Sequence, residues 1–147
     1  MEQQISSPTV MVVEDFADTR EMMRRFLETG GYAVLEAANG REAVELARRE
    51  RPSLILMDLN LPVLDGFAAT LRIREQEPLR EVPVVAVTAH DSAESRAAAR
   101  AVGCNDYLSK PVTLDQLLSL VERHLRAEAG GRRAEVSQGV GRESVVT

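Results

Sequence analysis

Three short apolar runs and a fourth strand-like segment in this chain each end in polar groups, and together those groups offer the chemistry of a carboxylate-centred phosphoryl site. Leu54-Ile55-Leu56-Met57 runs straight into Asp58, with Leu59-Asn60-Leu61-Pro62 behind it. Val10-Met11-Val12-Val13 ends in Glu14-Asp15, and Val84-Val85-Ala86-Val87 ends in Thr88. Asp106-Tyr107-Leu108-Ser109 ends in Lys110-Pro111. Clustered carboxylates repel one another and raise their own pKa values unless a cation joins them. Lys110 supplies one positive charge. A divalent metal is the natural second, because hard oxygen donors without histidine or cysteine suit Mg²⁺. Such a site would hold a phosphoryl group beside a carboxylate, with Asp58 as the nucleophile that becomes an aspartyl phosphate. The metal, Lys110 and Thr88 would neutralise and hydrogen-bond the phosphoryl oxygens.

These groups can meet only if the chain folds so that the runs end at one edge. Uninterrupted apolar runs read as strands buried on both faces. They alternate with helical patterns, which points to βαβ units, a parallel sheet and an α/β fold. The helices are expected at Ala17–Thr29, stopped by Gly30-Gly31; from an Asn39 cap with Glu42 in capping-box spacing to before Pro52; and from Asp65-Gly66 to about Gln76. A fourth is expected from Asp91 or Ser92 to Gly103. The last follows a Thr113 cap with Gln116 three residues on, and its apolar stripe is Leu114, Leu117, Leu118, Val121 and Leu125. A short strand, Tyr32–Glu36, lies between the first two helices. Right-handed crossovers then put the strand carboxyl ends on one edge of a doubly wound sheet, where ligands bind. In the order 2-1-3-4-5 the first and third strands are neighbours, ~4.8 Å apart, so Asp15 and Asp58 can share a cation. Thr88 would flank Asp58 on the other side. Lys110 would start two strands away, roughly 10 Å, and reach a group carried on Asp58.

The expected organisation is a flexible arm over 1–8, one domain over 9–126, and a flexible tail over 127–147 with no output domain. With 147 residues the chain can bury about 70% of its unfolded surface. A net charge of −5 offers no case for nucleic acid, and no helix-turn-helix pattern follows Arg126. The single Cys104 excludes an internal disulfide and a multi-cysteine zinc site. Met1 to Pro8 lack the pattern of a signal peptide, and no apolar run is long enough to span a membrane. The cytoplasm is the expected compartment.

Glu14-Asp15, Asp58, Thr88 and Lys110-Pro111, in this order and spacing, closely resemble the receiver domain of two-component response regulators. The Leu61-Pro62-Val63-Leu64-Asp65-Gly66 loop adds to the likeness, which spans about Thr9 to Arg126. The resemblance implies a flavodoxin-like (βα)5 fold with a five-stranded parallel sheet in the order 2-1-3-4-5. It implies that Asp58 accepts phosphate from a histidine kinase or histidine phosphotransfer protein. Asp15 matches the direct Mg²⁺ ligand, Glu14 the acidic neighbour acting through water, and Asn60 the residue whose backbone carbonyl completes the metal shell with Asp58. Lys110 matches the lysine that pairs with the acceptor and then with the phosphoryl group, which Thr88 and Ala89 also contact. Thr88 matches the switch hydroxyl, and Tyr107 the aromatic that turns inward with it. The side chains of Asn60 and His90 match positions that govern water access to the phosphoryl group. Signalling is expected through the Asp91–Gly103 helix, the Asp106–Lys110 strand and the Thr113–Arg126 helix, where Arg96 and Arg100, one turn apart amid alanines, are either part of that partner face or an ordinary solvated stripe. The resemblance leaves a monomer and a phosphorylation-dependent dimer both open.

Three other readings carry less. Glu14 and Asp15 could merely favour the start of the first helix. The fold could serve as a phosphorylation-independent adaptor, although the intact constellation argues against that. A hydrolase of the haloacid-dehalogenase type would place its nucleophile on the first strand, with an aspartate two residues later. Here Asp58 is on the third strand and the residue two on is Asn60, which cannot transfer a proton. No enzymatic activity is therefore expected beyond the chain's own phosphorylation and dephosphorylation.

Overall fold

Alternating residues of the central strands face opposite ways, and this decides which helices cover which side of the sheet. The structure is a computed structural model that describes residues 7–137. The elements are β1 (Thr9–Val13), α1 (Ala17–Thr29), β2 (Ala33–Ala37), α2 (Gly40–Glu50), β3 (Leu54–Asp58), α3 (Gly66–Arg74), a 3-10 turn (Glu77–Leu79), β4 (Val84–Thr88), α4 (Ala93–Ala101), β5 (Asp106–Ser109) and α5 (Leu114–Ser137). The five strands pair in parallel in the order β2-β1-β3-β4-β5. Every residue of β3 and β4 is buried, which is why those runs are unbroken in apolar character. On one face, Met11, Val13, Ile55, Met57, Val84 and Ala86 pack against Ala43 and Ala47 of α2, Ala69 and Ile73 of α3, and Ala99 of α4. On the other, Val10, Val12, Leu54, Leu56, Val85 and Val87 pack against Met23 and Leu27 of α1 and Leu117, Leu120 and Val121 of α5.

Capping follows the sequence closely. Asn39 Oδ1 accepts from Glu42 N (2.9 Å) while Glu42 Oε1 accepts from Ala38 N (2.7 Å). Thr113 and Gln116 form a reciprocal capping box, both bonds 3.1 Å. Ser92, not Asp91, caps α4, its Oγ accepting from Ser95 N.

Several boundaries differ from expectation. β2 is one residue later than Tyr32–Glu36, α3 stops at Arg74 rather than Gln76, and α4 ends at Ala101. The larger correction is α5, which passes Arg126 and stays helical to Ser137. Ala127, Glu128, Ala129, Arg132, Arg133, Ala134 and Glu135 are strong helix formers, and the Gly130-Gly131 pair costs only ~1 kcal/mol per residue against alanine. Residues 1–6 of the expected arm and 138–147 of the expected tail lie outside the described residues. Among those described, no helix is long and apolar enough to cross a membrane.

At the edge away from the strand carboxyl ends, one side chain ties several segments together. Arg74 donates to Gly103 O through Nε (3.1 Å) and Nη2 (2.8 Å), to Leu79 O (3.1 Å), and to Asn105 Oδ1 (2.8 Å). Asn105 Oδ1 in turn accepts from Val84 N, the first amide of β4. Charge-assisted bonds of this kind contribute ~1.5–3 kcal/mol each when buried, and less here because they are partly exposed. Arg74→Ala should lower stability by about 2 kcal/mol. Urea denaturation at unchanged m-value measures this, and a loss below about 0.5 kcal/mol would show that water replaces the bonds.

Candidate functional site

The register of β1 against β3 builds the site. Val13 lies opposite Met57, so Glu14 and Asp15, just past the end of β1, come beside Asp58 at the end of β3. One carboxylate oxygen from each of the three lies within 4.8 Å of the others. Glu14 and Asp58 are 2% and 4% exposed, whereas Asp15 is open to solvent. Asp58 Oδ1 accepts from Asn60 N (3.1 Å), and Glu14 Oε2 accepts from Phe16 N (3.1 Å).

Lys110 enters from β5, its backbone N–H donating to Thr88 O (2.8 Å). Its ammonium reaches across β4 as expected, but the shorter contact is with Glu14 Oε1 (2.6 Å), and Asp58 Oδ2 is at 3.3 Å. Glu14 is thus a counter-ion to Lys110 as well as an acidic neighbour of the cluster. Burial pushes the Asp58 carboxyl above the ordinary range; the Asn60 amide opposes this, Glu14 adds to it, and Lys110 opposes it. For Lys110, burial works against the charge, but the hydrogen bonds and charges of Glu14 and Asp58 outweigh it and raise the pKa. Three carboxylates against one ammonium leave two negative charges, the count that one dication neutralises. The donors are all oxygen, and the site meets water on the Asp15 side. This set fits Mg²⁺, which keeps several waters beside one or two carboxylates.

Thr88 is buried at 1% exposure, and its Oγ1 accepts from His90 N (3.1 Å). Ala89 follows, exposed at the sheet edge, as are the side chains of Asn60 and His90. The His90 backbone also links Thr88 to Tyr107. While His90 N donates to Thr88, His90 O accepts from the Tyr107 hydroxyl (3.2 Å), which also contacts Ser95 Oγ (3.0 Å). That link was not legible from residue types, because it runs through main-chain atoms.

Two side chains have partners that the residue types did not show. Arg96 is exposed on α4 and is also held from within the chain. Its guanidinium stacks 4.5 Å from the Tyr107 ring centroid and pairs with both oxygens of Asp91 (2.8 and 2.9 Å). Asp91 also accepts from Ser109 Oγ (2.5 Å), and Arg96 and Ser109 hold its carboxyl down to about 2. Arg100 remains exposed. His124 on α5 is half-buried with Nε2 at 2.8 Å from Asp106 Oδ2, beside Arg123 at 2.9 Å.

A model of the response regulator receiver domain matches residues 10–122, most of the chain. This chain belongs to the response regulator receiver family. The receiver is 37% identical over 117 residues to the polar-differentiation response regulator DivK of Brucella anthropi, covering 80% of this chain and 95% of that protein. Among solved structures it resembles the chemotaxis protein CheY4 of Vibrio cholerae, with 33% identity and a TM-score of 0.78 over 80% of this chain and 98% of that one. It also resembles the receiver domain of the sensor histidine kinase PA1611 of Pseudomonas aeruginosa, which holds a magnesium ion in its active-site cleft. That pair shares 38% identity and a TM-score of 0.77, over 82% of this receiver and 98% of the other chain. The family and the flavodoxin-like topology both agree with the reading of the motif residues. Family membership supports a phosphoryl-accepting role in two-component signalling.

Proposed function

We propose that this receiver is a phosphorylation-dependent switch that accepts a phosphoryl group on Asp58 from a histidine kinase or histidine phosphotransfer protein. The observation that carries the reading is the buried Asp58 carboxylate, with Lys110 and the Glu14-Asp15 pair converging on it and two negative charges left over. In the transfer, a carboxylate oxygen of Asp58 forms the new P–O bond while the donor's P–N bond breaks, and the donor imidazole leaves and is reprotonated by solvent. Glu14, Asp15, Asp58 and the Asn60 carbonyl would hold Mg²⁺, which supplies neutralising charge to the phosphoryl oxygens. Lys110, already shared between two carboxylates, needs only a small side-chain movement to reach a phosphoryl oxygen.

Thr88 gives the switch its physical form. If its hydroxyl turns to donate to a phosphoryl oxygen, it leaves the His90 amide, and the His90 carbonyl that anchors Tyr107 shifts with it. Tyr107 then moves relative to Arg96 and α4. Because α4, β5 and α5 share that face, its affinity for a partner protein changes, or the phosphate passes onward in a relay. The receiver turns over no free phosphate ester, works in the cytoplasm and binds no DNA directly in this reading.

Acetyl phosphate with Mg²⁺, followed by intact mass, tests the assignment. One added phosphate is expected, absent from Asp58→Ala and absent in chelator. If the wild-type chain gains nothing under saturating donor and metal, the phosphorylation-independent adaptor replaces this reading.

A further inference from the structure

The first helix begins without a side-chain cap, since Phe16 at the N-cap position makes no such bond. The Glu14-Asp15 turn must therefore be held by something other than capping. Glu14 N donates to Ala37 O (3.0 Å), which ties the turn to β2. Its carbonyl accepts from Arg20 Nη1 (2.8 Å), one turn into α1. Arg20 is in turn gripped through Nε by Glu36 Oε1 of β2 (3.1 Å), and Glu36 Oε2 also takes Arg24 Nε (3.1 Å). The Arg20 side chain is only 22% exposed. One guanidinium thus fixes the backbone between a buried acidic residue and Asp15, joining α1, β2 and the end of β1.

We propose that Arg20 is a positioning residue for the divalent-cation site. By holding the Glu14 carbonyl it sets where the Glu14-Asp15 turn stands relative to Asp58, and Glu36 holds Arg20 in that pose. The inference rests on the Mg²⁺ site proposed above. Its sign separates it from a simple charge effect. A guanidinium near three carboxylates opposes a dication by Coulomb repulsion, so deleting it for charge alone would tighten Mg²⁺ binding. Deleting it as a positioning group loosens the turn and weakens binding. Outer residues that orient metal ligands typically contribute ~10–100-fold to affinity. Arg24 provides the control, because it carries the same charge into the same Glu36 pair and makes no bond to Glu14.

Isothermal titration of the full chain with MgCl₂, on wild type, Arg20→Met, Arg20→Lys and Arg24→Met, tests this. Arg20→Met should raise the Mg²⁺ Kd about tenfold. Arg20→Lys keeps the charge but loses the fork that grips Glu14 and Glu36 together, and should fall about threefold short of wild type. Arg24→Met should stay within twofold. Urea denaturation without metal reports folding separately, and if Arg20→Met fails to fold, Arg20→Lys decides. An Arg20 variant that folds and binds Mg²⁺ as tightly as wild type, or more tightly, overturns the positioning role and leaves the site itself standing. Wild type that binds no Mg²⁺ overturns both.

Discussion

Lys110→Met should turn this protein into one whose stability depends on acid or on a divalent cation. The substitution keeps most of the side chain's length and removes its charge, leaving Glu14 and Asp58, 2% and 4% exposed, facing each other with no ammonium. Removing one partner of a buried ion pair costs ~3–5 kcal/mol, because the survivor stays desolvated. Lys110 is 20% exposed, so water can relax the pocket, and a loss of about 3 kcal/mol is expected. For a domain of this size that is a fall in Tm of roughly 6–12 °C.

The pH dependence follows from the directions of the shifts. Asp58 is raised in the folded state above 3.8, so its contribution to stability is fully present below 3.8 and lost as pH rises through its folded value. Lys110 is raised above 10.5, so its contribution is present below 10.5 and lost only at higher pH. At neutral pH the wild type therefore carries an Asp58 penalty that Lys110 offsets. Without Lys110 the Asp58 value climbs further, and the window of lost stability extends upward toward neutrality. The variant should gain stability on going from pH 7 to pH 5 more steeply than wild type. It should also gain more from Mg²⁺ at pH 7, where saturation at 100 times Kd adds ~2.7 kcal/mol. Chemical denaturation at both pH values, with and without metal, measures this. Parallel curves for the two proteins would mean that Lys110 does not balance these carboxylates.

Gly66→Ala should damage both stability and phosphorylation, for a reason of close packing. A Cβ at Gly66 would lie 2.1 Å from Asp58 O and 2.7 Å from Leu59 Cα, both backbone atoms with nowhere to go. Gly66 N also donates to Leu59 O (3.1 Å), so the start of α3 rests directly on the end of β3. Gly40 makes the same demand from the other side, its Cβ position falling 1.8 Å from Leu64 O. The loop after Asp58 is therefore clamped between two helix starts. Overpacking costs up to ~3 kcal/mol, and the strain falls on Asp58, the residue proposed above to accept the phosphoryl group. Because a misplacement of ~1 Å can cost ~100-fold in rate, phosphorylation by acetyl phosphate should slow at least tenfold. Gly31→Ala is the comparison: its φ is +92° but nothing lies within 4 Å, so it should cost ~1–2 kcal/mol and leave phosphorylation intact. If Gly66→Ala phosphorylates at the wild-type rate, α3 can move away without disturbing Asp58.

Much of the architecture was legible because burial writes itself into residue type. β3 and β4 are covered on both sides, so their runs could not contain polar residues until the sheet edge, and that is where Asp58 and Thr88 stand. Asn39-Glu42 and Thr113-Gln116 announced helix starts because those side chains have few other ways to satisfy a helix's free amides. The end of α5 was misjudged for the complementary reason. Glycines discourage a helix without forbidding it, and a strongly helical neighbourhood carried the chain through Gly130-Gly131 to Ser137.

Residue order alone determined that this chain builds a parallel α/β sheet with Asp15, Asp58, Thr88 and Lys110 at one edge, because unbroken apolar runs, their polar ends and the alternation with helical patterns are local properties. Tertiary structure decided how those groups are held. That Lys110 sits closer to Glu14 than to Asp58, that His90 joins Thr88 to Tyr107 through its backbone, that Arg96 stacks on the Tyr107 ring, and that Arg20 reaches Glu14 O depend on contacts between segments far apart or on main-chain atoms. No residue type encodes such contacts. They exist only once the sheet register has placed each partner within ~3 Å of the other.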